Sequence, residues 1–350
     1  MSEIEQEKID DDSVSPAFFV EMVVGYRKAR VVLTAEKLGI FDALKNGALT
    51  PKQLAEGLKL DLRATRILLR ALTSLGLCKL TEEDTFANTR LAARFLVPGS
   101  AQFVGNNLRF QDLIWPAWGE LTDIVRTGSP RKTLIELLTG TSADFRESYI
   151  RGMHDIAKRP AQAVASALAS TNAKRILDVG AGPGTFTYAL LEALPNSSAT
   201  LFDLPETLAI AKEYIARFAE PSRIETRAGN YLEDDYGQGF DLVLMSHITH
   251  DEGPDAILTM LKRAYLALKP GKSIAIHDFV VSNDGCGSEF STMFSVNMLA
   301  YTKAGQTYSR SEYSGLLQQA GFVNVQCIEV LQNEVPNPTC LLVAQKPQLN

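Results

Sequence analysis

Cysteine is scarce in this chain of 350 residues: Cys78, Cys286, Cys327 and Cys340 stand apart, with no C-x-x-C pair among them. Such spacing indicates neither a zinc ribbon nor a disulfide framework, and four unpaired thiols suit a reducing cytoplasm, the expected location. Long apolar runs are missing too. No stretch reaches the roughly 18 apolar residues of a membrane span, and residues 1–12 are acidic where an export signal would carry a basic region and an apolar stretch. Positive charge is in short supply, since 35 Lys and Arg face 41 Asp and Glu for a net charge of −6, which argues against a chain whose main task is coating nucleic acid. Internal repeats and low-complexity segments are absent. What is present is ordinary globular material: 45% hydrophobic and 22% charged residues exclude a disordered or fibrous chain, and the length calls for two domains rather than one.

The first 15 residues are polar and expected to fray. Residues 17–44 then carry helical periodicity, with Phe18, Val23, Val31, Ala35 and Leu38 among the apolar positions. More apolar surface lies on this helix than an isolated domain leaves in water, so it is expected to build a homodimer. Thr50-Pro51 opens a short helix through Leu58, Asp61 opens a second through Leu75, and Gly76 stops it. Residues 78–80 and 85–87 flank a turn, completing the outline of a winged helix-turn-helix. Further helices are expected over 102–125 and 142–168, with a break at Ser129-Pro130. At Lys174 the pattern changes. Five apolar runs, at 175–179, 199–203, 224–228, 241–246 and 273–278, alternate with helical patterns, which implies a parallel sheet with helices on both faces. Residues 323–330 and 339–344 read as an antiparallel pair at its edge. The expected fold class is therefore α/β, a mostly parallel seven-stranded Rossmann-like sheet behind an N-terminal helical domain, divided as 1–100, 101–170 and 171–350.

The run Ile176 to Val179 ends at Gly180-Ala181-Gly182-Pro183-Gly184, after which Thr185 to Leu194 has helical spacing. Glycines at the end of a first strand let the backbone approach a ligand closely. A dinucleotide fingerprint places its third glycine where Thr185 stands, one residue later than Gly184, so a pyrophosphate ligand loses ground. Asp178, just before the turn, suits the ammonium of an amino-acid moiety. Asp203 ends the second strand, where a carboxylate can accept both hydroxyls of a ribose, although a helix N-cap before Pro205 would account for it as well. Gly229-Asn230-Tyr231 follows the third strand; there an amide can read an adenine amine while an aromatic ring packs on the base, or Asn230 is simply a turn residue. Three such features at three successive strand ends point to a nucleoside ligand without phosphates.

The segments Leu177-Asp178-Val179-Gly180-Ala181-Gly182-Pro183-Gly184, Phe202-Asp203-Leu204-Pro205, Gly229-Asn230-Tyr231-Leu232 and Ser246-His247-Ile248-Thr249-His250-Asp251, in that order, closely resemble the class I small-molecule O-methyltransferases. Among these the chain is similar to the dimeric caffeate and acetylserotonin type, and the resemblance runs over nearly its whole length. It implies a winged-helix dimerisation domain, a helical stretch from Trp115 that helps form the substrate pocket, and S-adenosyl-L-methionine as cofactor. It further implies that Gly180, Gly182, Gly184, Asp203, Leu204, Asn230, Tyr231 and Ser246 contact the methyl donor, with Tyr149 and Met153 closing over it. By the same resemblance the helix carrying Met293, Asn297 and Tyr301 lines the pocket of a small, aromatic acceptor.

Methyl transfer from a sulfonium is an in-line displacement, so a protein mainly aligns the reactants and excludes water. A hydroxyl acceptor adds one need, a base. His250 lies just past the fourth strand, at the mouth where open α/β sheets bind ligands, and coincides with the family's catalytic histidine. Asp278 corresponds to one of the family's two orienting glutamates and can hold the imidazole tautomer; the other falls near Thr307, so the second carboxylate is missing. Glu252 also stands where the family has tryptophan. His247, His250 and His277 make a metal cluster conceivable, but with no third ligand close in sequence to the first two, none is expected. Two competing functions remain on the sequence: methyl transfer to carbon or nitrogen, or donor binding without transfer; and, further off, a winged-helix DNA-binding regulator using Arg63, Arg66 and Arg70. Residues 50–97 hold eight Lys and Arg against five Asp and Glu, a slight excess common on solvated helices, so no nucleic-acid partner is expected.

Overall fold

The computed structural model describes residues 16–81, 84–140, 143–330 and 339–348; the polar first 15 residues lie outside them. The chain divides between Asp112 and Leu113 into two compact units.

In the first unit the apolar run 17–44 forms three helices, Pro16–Val24, Tyr26–Lys37 and Ile40–Ala43, where periodicity alone suggests one. Gly39, at φ +74°, turns the chain into the left-handed region open to glycine and ends the second of them. Thr50 caps the helix Pro51–Leu58 in a reciprocal capping box with Gln53, and the Asp61 carboxylate caps Leu62–Ser74 by accepting from the Ala64 N–H. Strands β1 (Cys78–Leu80) and β2 (Phe86–Asn88) pair antiparallel behind them. Ile40, Phe41, Leu54, Leu69, Leu72 and Phe86 fill the core. By contrast the helix Pro16–Val24 buries no residue in the single chain, and Phe19 and Met22 are 62% and 63% exposed. Arg66, on the supposed recognition helix, forms an ion pair with Asp84 at 2.6 Å.

The second unit is built on a sheet of eight strands: β3 (Arg175–Val179), β4 (Ser198–Asp203), β5 (Ile224–Ala228), β6 (Phe240–Ser246), β7 (Leu268–Val281), β8 (Tyr308–Ser309), β9 (Val323–Val330) and β10 (Thr339–Gln345). Their order is β5-β4-β3-β6-β7-β10-β9, with the short β8 beside β7. Strands β3 to β7 run parallel, while β10 lies antiparallel between β7 and β9. The central strands are buried on both faces, which is why they read as continuous apolar runs; Leu177, Val179, Val243 and Met245 face one helical layer, and Ile176, Leu242 and Leu244 the other. The order reverses between β3 and β6, the place where open parallel sheets bind ligands beyond the strand ends. Helices Gly105–Gly119, Leu121–Thr127, Leu134–Gly140 and Ala143–Leu168 precede the sheet; the first crosses the boundary between the units and the others belong with the sheet.

The cysteines depart from the sequence expectation. Cys327 and Cys340 are joined as a disulfide, because β9 and β10 are antiparallel neighbours that bring residues 13 apart to a Cα separation of 6.3 Å. Spacing carries no sign of it, since the two meet only through strand pairing. Cys78 and Cys286 are free.

Candidate active site

The glycine turn leaves β3 with Gly180, Gly182 and Gly184 all at positive φ, +67°, +55° and +87°. At Gly180 a Cβ would also lie 2.7 Å from Ile248, so this turn packs directly beneath the loop that follows β6. The Gly182 N–H donates to Asp203 Oδ2 at 2.7 Å, and the Leu204 N–H to Asp203 Oδ1 at 2.7 Å. Two backbone donors thus fix the carboxylate plane at the end of β4 and orient its remaining lone pairs. Asp178 is 2% exposed and accepts from the Thr187 hydroxyl at 2.7 Å; burial pushes its carboxyl up to about 7 against that bond. Burial likewise raises Asp203. Among the described residues no lysine or arginine offsets that burial at either carboxyl, so keeping both ionised is costly here. A ligand bearing positive charge fits such a place.

Beyond β5 the Asn230 side-chain oxygen accepts from the Leu232 N–H at 2.9 Å, a local Asx turn, and the Tyr231 hydroxyl donates to Glu252 at 2.8 Å. Tyr149 and Met153 are half-buried one turn apart on the helix Ala143–Leu168, and Tyr149 lies within electrostatic reach of Asp203, Asp251 and Tyr231. That helix also brings His154, whose Nδ1 is 2.8 Å from the Thr185 hydroxyl at the glycine turn. Ser246, ending β6, shares a 2.9 Å hydrogen bond with His277 Nδ1.

His250 sits in a single 3-10 turn, Thr249–Asp251, just past β6, and is 5% exposed. Its Nδ1 is 2.5 Å from Asp278 Oδ1. Asp278 is completely buried, and its other donors are the Phe279 N–H at 2.8 Å on Oδ1, and on Oδ2 the Thr249 hydroxyl at 2.7 Å, the Tyr313 hydroxyl at 3.0 Å and the His250 N–H at 3.2 Å. Burial alone would raise this carboxyl; the His250 charge and hydrogen bond, with the His247 ring nearby, override it and hold Asp278 well below the usual range. An ionised Asp278 requires the proton on His250 Nδ1, which leaves Nε2 with its lone pair. Burial opposes protonation of His250, yet Asp278 and Asp251 more than compensate, so its pKa is raised above 6.5. The geometry is that of an imidazole held by a buried carboxylate, as in the orienting half of a triad.

The other two histidines of the cluster are kept neutral. Burial lowers His247 and, more strongly, His277. His247, at φ +52°, stacks its edge on His277 with centroids 4.5 Å apart, and its Nδ1 lies 3.7 Å from Asp278 Oδ1. His247, His250 and Asp278 thereby bring three potential metal-ligand atoms within 4.8 Å of one another. Asp278 Oδ1, however, already takes two close N–H donors, so the arrangement is that of a hydrogen-bonded pair.

Aromatic rings enclose the imidazole. Phe294 meets His250 edge-on at 4.8 Å, and Phe279 packs on Phe290 and Phe294 at 5.0 and 4.6 Å. Of the four residues the resemblance assigns to the acceptor, Trp115 and Asn297 are half-buried, Met293 is 49% exposed, and Tyr301 is buried with the Trp118 indole beside its hydroxyl. The resemblance singles out Met293, Asn297 and Tyr301 on this helix but neither Phe290 nor Phe294, and the roles of Phe279, Thr249 and Tyr313 are not foreseen from the sequence. The phenylalanine spacing was the signal available for Phe290 and Phe294; the others are joined to His250 or Asp278 only by the fold.

A parallel sheet with a glycine turn at β3, a cradled carboxylate at β4 and an oriented imidazole past β6 defines a nucleoside-dependent group-transfer enzyme. Comparison with known proteins makes this specific. Residues 118–323 match the O-methyltransferase domain and residues 20–98 the O-methyltransferase dimerisation domain. The chain is 30% identical to the 3-hydroxy-5-methyl-1-naphthoate 3-O-methyltransferase of Streptomyces sahachiroi, over 89% of this chain and 91% of that one. It is also 30% identical to the mitomycin biosynthesis 6-O-methyltransferase of Streptomyces lavendulae, over 86% and 87%. Its fold is similar to that of human N-acetylserotonin methyltransferase in complex with S-adenosylmethionine, with a TM-score of 0.86, 23% identity, and coverage of 96% and 99%. The chain belongs to the O-methyltransferase family and is an S-adenosylmethionine-dependent methyltransferase. No helix among the described residues is long and apolar enough to cross a membrane.

Proposed function

We propose that this enzyme, as a homodimer joined through its N-terminal helices, methylates a hydroxyl of an aromatic or polyketide-like small molecule, with His250 as general base and Asp278 as its orienting partner. The observation that carries the base assignment is the 2.5 Å contact of His250 Nδ1 with a buried, ionised Asp278, which leaves Nε2 as the basic nitrogen. An aromatic acceptor is supported by the phenylalanines around that imidazole and by relatives named for a naphthoate acceptor and for mitomycin biosynthesis. Trp115, Met293, Asn297 and Tyr301 complete its pocket. Gly180, Gly182, Gly184, Asp203, Leu204, Asn230, Tyr231 and Ser246 hold the donor, Asp178 answers its ammonium, and Tyr149 and Met153 cover it. When bound, S-adenosylmethionine supplies an electrophilic methyl on a sulfonium. The protein's work is then to orient the acceptor, exclude water and take one proton at His250 Nε2.

His250→Ala tests this. With a panel of phenolic acceptors, turnover should fall by roughly 10² to 10⁴-fold, the usual share of a positioned base, while calorimetry finds the donor affinity unchanged. A variant that methylates its acceptor at the wild-type rate from pH 6 to 9 would show that alignment alone carries the reaction.

A further inference from the structure

Asp251 has entered so far only as a charge that raises the His250 pKa. Its side chain is 14% exposed, accepts no hydrogen bond among the described residues, and has His250 Nε2 at 3.6 Å as its nearest opposite charge. That is the ring nitrogen away from Asp278. The titratable groups facing it are His250 in the same turn, Glu252 next in the chain, Asp278 from β7, Tyr149 from the helix Ala143–Leu168 and Tyr231 beyond β5. None is a lysine or arginine. Burial raises its carboxyl to about 6, with His250 pulling the other way. A desolvated carboxylate with no cation of its own is costly unless a charge reaches it from elsewhere.

We propose that Asp251 is the counter-charge for the positive charge that moves during the reaction, serving the donor's sulfonium before transfer and the His250 imidazolium after it. This rests on the general-base mechanism above. Transfer forms a bond between the methyl carbon and the acceptor oxygen and breaks the carbon–sulfur bond, whose electron pair stays on sulfur. The acceptor's proton passes to His250 Nε2. One positive charge is lost at sulfur and one appears on the imidazole, so a carboxylate 3.6 Å from Nε2 and within electrostatic reach of Tyr149 and Tyr231 compensates charge at both ends of the step. Preorganised compensation of this kind needs no rearrangement as the charge moves.

The test compares wild type with Asp251→Asn at pH 8, above the Asp251 pKa, by calorimetry with S-adenosylmethionine and with its neutral product S-adenosylhomocysteine. The variant should bind the cationic donor roughly tenfold more weakly, the equivalent of about one pKa unit between opposite charges, and the neutral product with little change. The acid limb of its rate profile should move to lower pH, since the imidazolium loses a partner. Asp251→Glu should recover part of the preference. Should Asp251→Asn fail to fold, wild type alone must lose its preference for the donor over the product as pH drops through about 6. Equal weakening of both ligands, or an unchanged preference with an unmoved limb, overturns the proposal. A normal rate in His250→Ala would instead count against the base, and with it the imidazolium half of this inference.

Discussion

Asp278→Asn changes one oxygen to an amide nitrogen on a completely buried side chain. If the remaining oxygen takes the Oδ1 position it keeps the His250 Nδ1–H and the Phe279 N–H. The new amide then faces the Thr249 and Tyr313 hydroxyls, which can rotate to accept, and the His250 N–H, which cannot. One buried backbone donor is left without a partner, at about 1–3 kcal/mol. The larger effect is on His250. An opposite charge at this range shifts a pKa by about 1–3 units, and without it the burial that already opposes protonation prevails. The direction of the kinetic change follows. A base must be neutral, so turnover falls as pH drops through the His250 pKa. In wild type that pKa is raised, which puts the acid limb above pH 6.5; in Asp278→Asn it should lie below. The plateau should also drop, by up to the roughly 10² to 10⁴-fold that a positioned base supplies, because the neutral ring is a weaker base and either tautomer can form. Steady-state rates from pH 5.5 to 9, with an acceptor that does not titrate in that range and a thermal melt to confirm folding, give both readings. A limb that stays in place at the wild-type plateau would refute the reasoning.

Asp203→Ala should weaken S-adenosylmethionine binding by about 1.5–3 kcal/mol, the range for charge-assisted hydrogen bonds, and unchanged calorimetric affinity would exclude Asp203 from the ribose. Removing residues 1–45 should give an inactive monomer or aggregates, because the helix Pro16–Val24 leaves its apolar side chains exposed in a single chain; light scattering that finds the full-length protein monomeric at micromolar concentration would exclude the dimer.

The sheet was legible because buried parallel strands announce themselves as short apolar runs. Ile176 to Val179 and Leu242 to Met245 are such runs, and each ends where its site residue begins. β7 starts at Leu268, five residues before the apolar run that reveals it, since Lys269 to Lys272 add polar residues to the strand; β8 is two residues long and leaves no pattern. Asp203 was legible as a candidate because a carboxylate closing an apolar run stands out, whereas His250, four residues past β6, and Asp278 were picked out by their places at strand ends together with the resemblance. Tyr313 was not. It lies 35 residues from Asp278 on a helix of ordinary composition, and only packing turns its hydroxyl toward the carboxylate. The Cys327–Cys340 bond was hidden in the same way, by strand pairing.

The missing second carboxylate bears on how His250 is held. Thr307 stands near the position that the resemblance gives to that group, and it is committed elsewhere: its hydroxyl donates to the Ser291 carbonyl and pairs with the Ser295 hydroxyl, tying it to the helix Glu289–Tyr301. A tautomer, though, needs only one carboxylate. With both oxygens of Asp278 taken by donors on Thr249, His250, Phe279 and Tyr313, that carboxylate cannot swing, and the imidazole retains one freedom, pivoting about its Nδ1 contact. Phe294 blocks the pivot edge-on at 4.8 Å. Orientation that a second charge would supply by attraction is here supplied by packing, and packing neither neutralises nor polarises Nε2. On the proposed mechanism, the charge at this nitrogen is left to be answered by Asp251, 3.6 Å away.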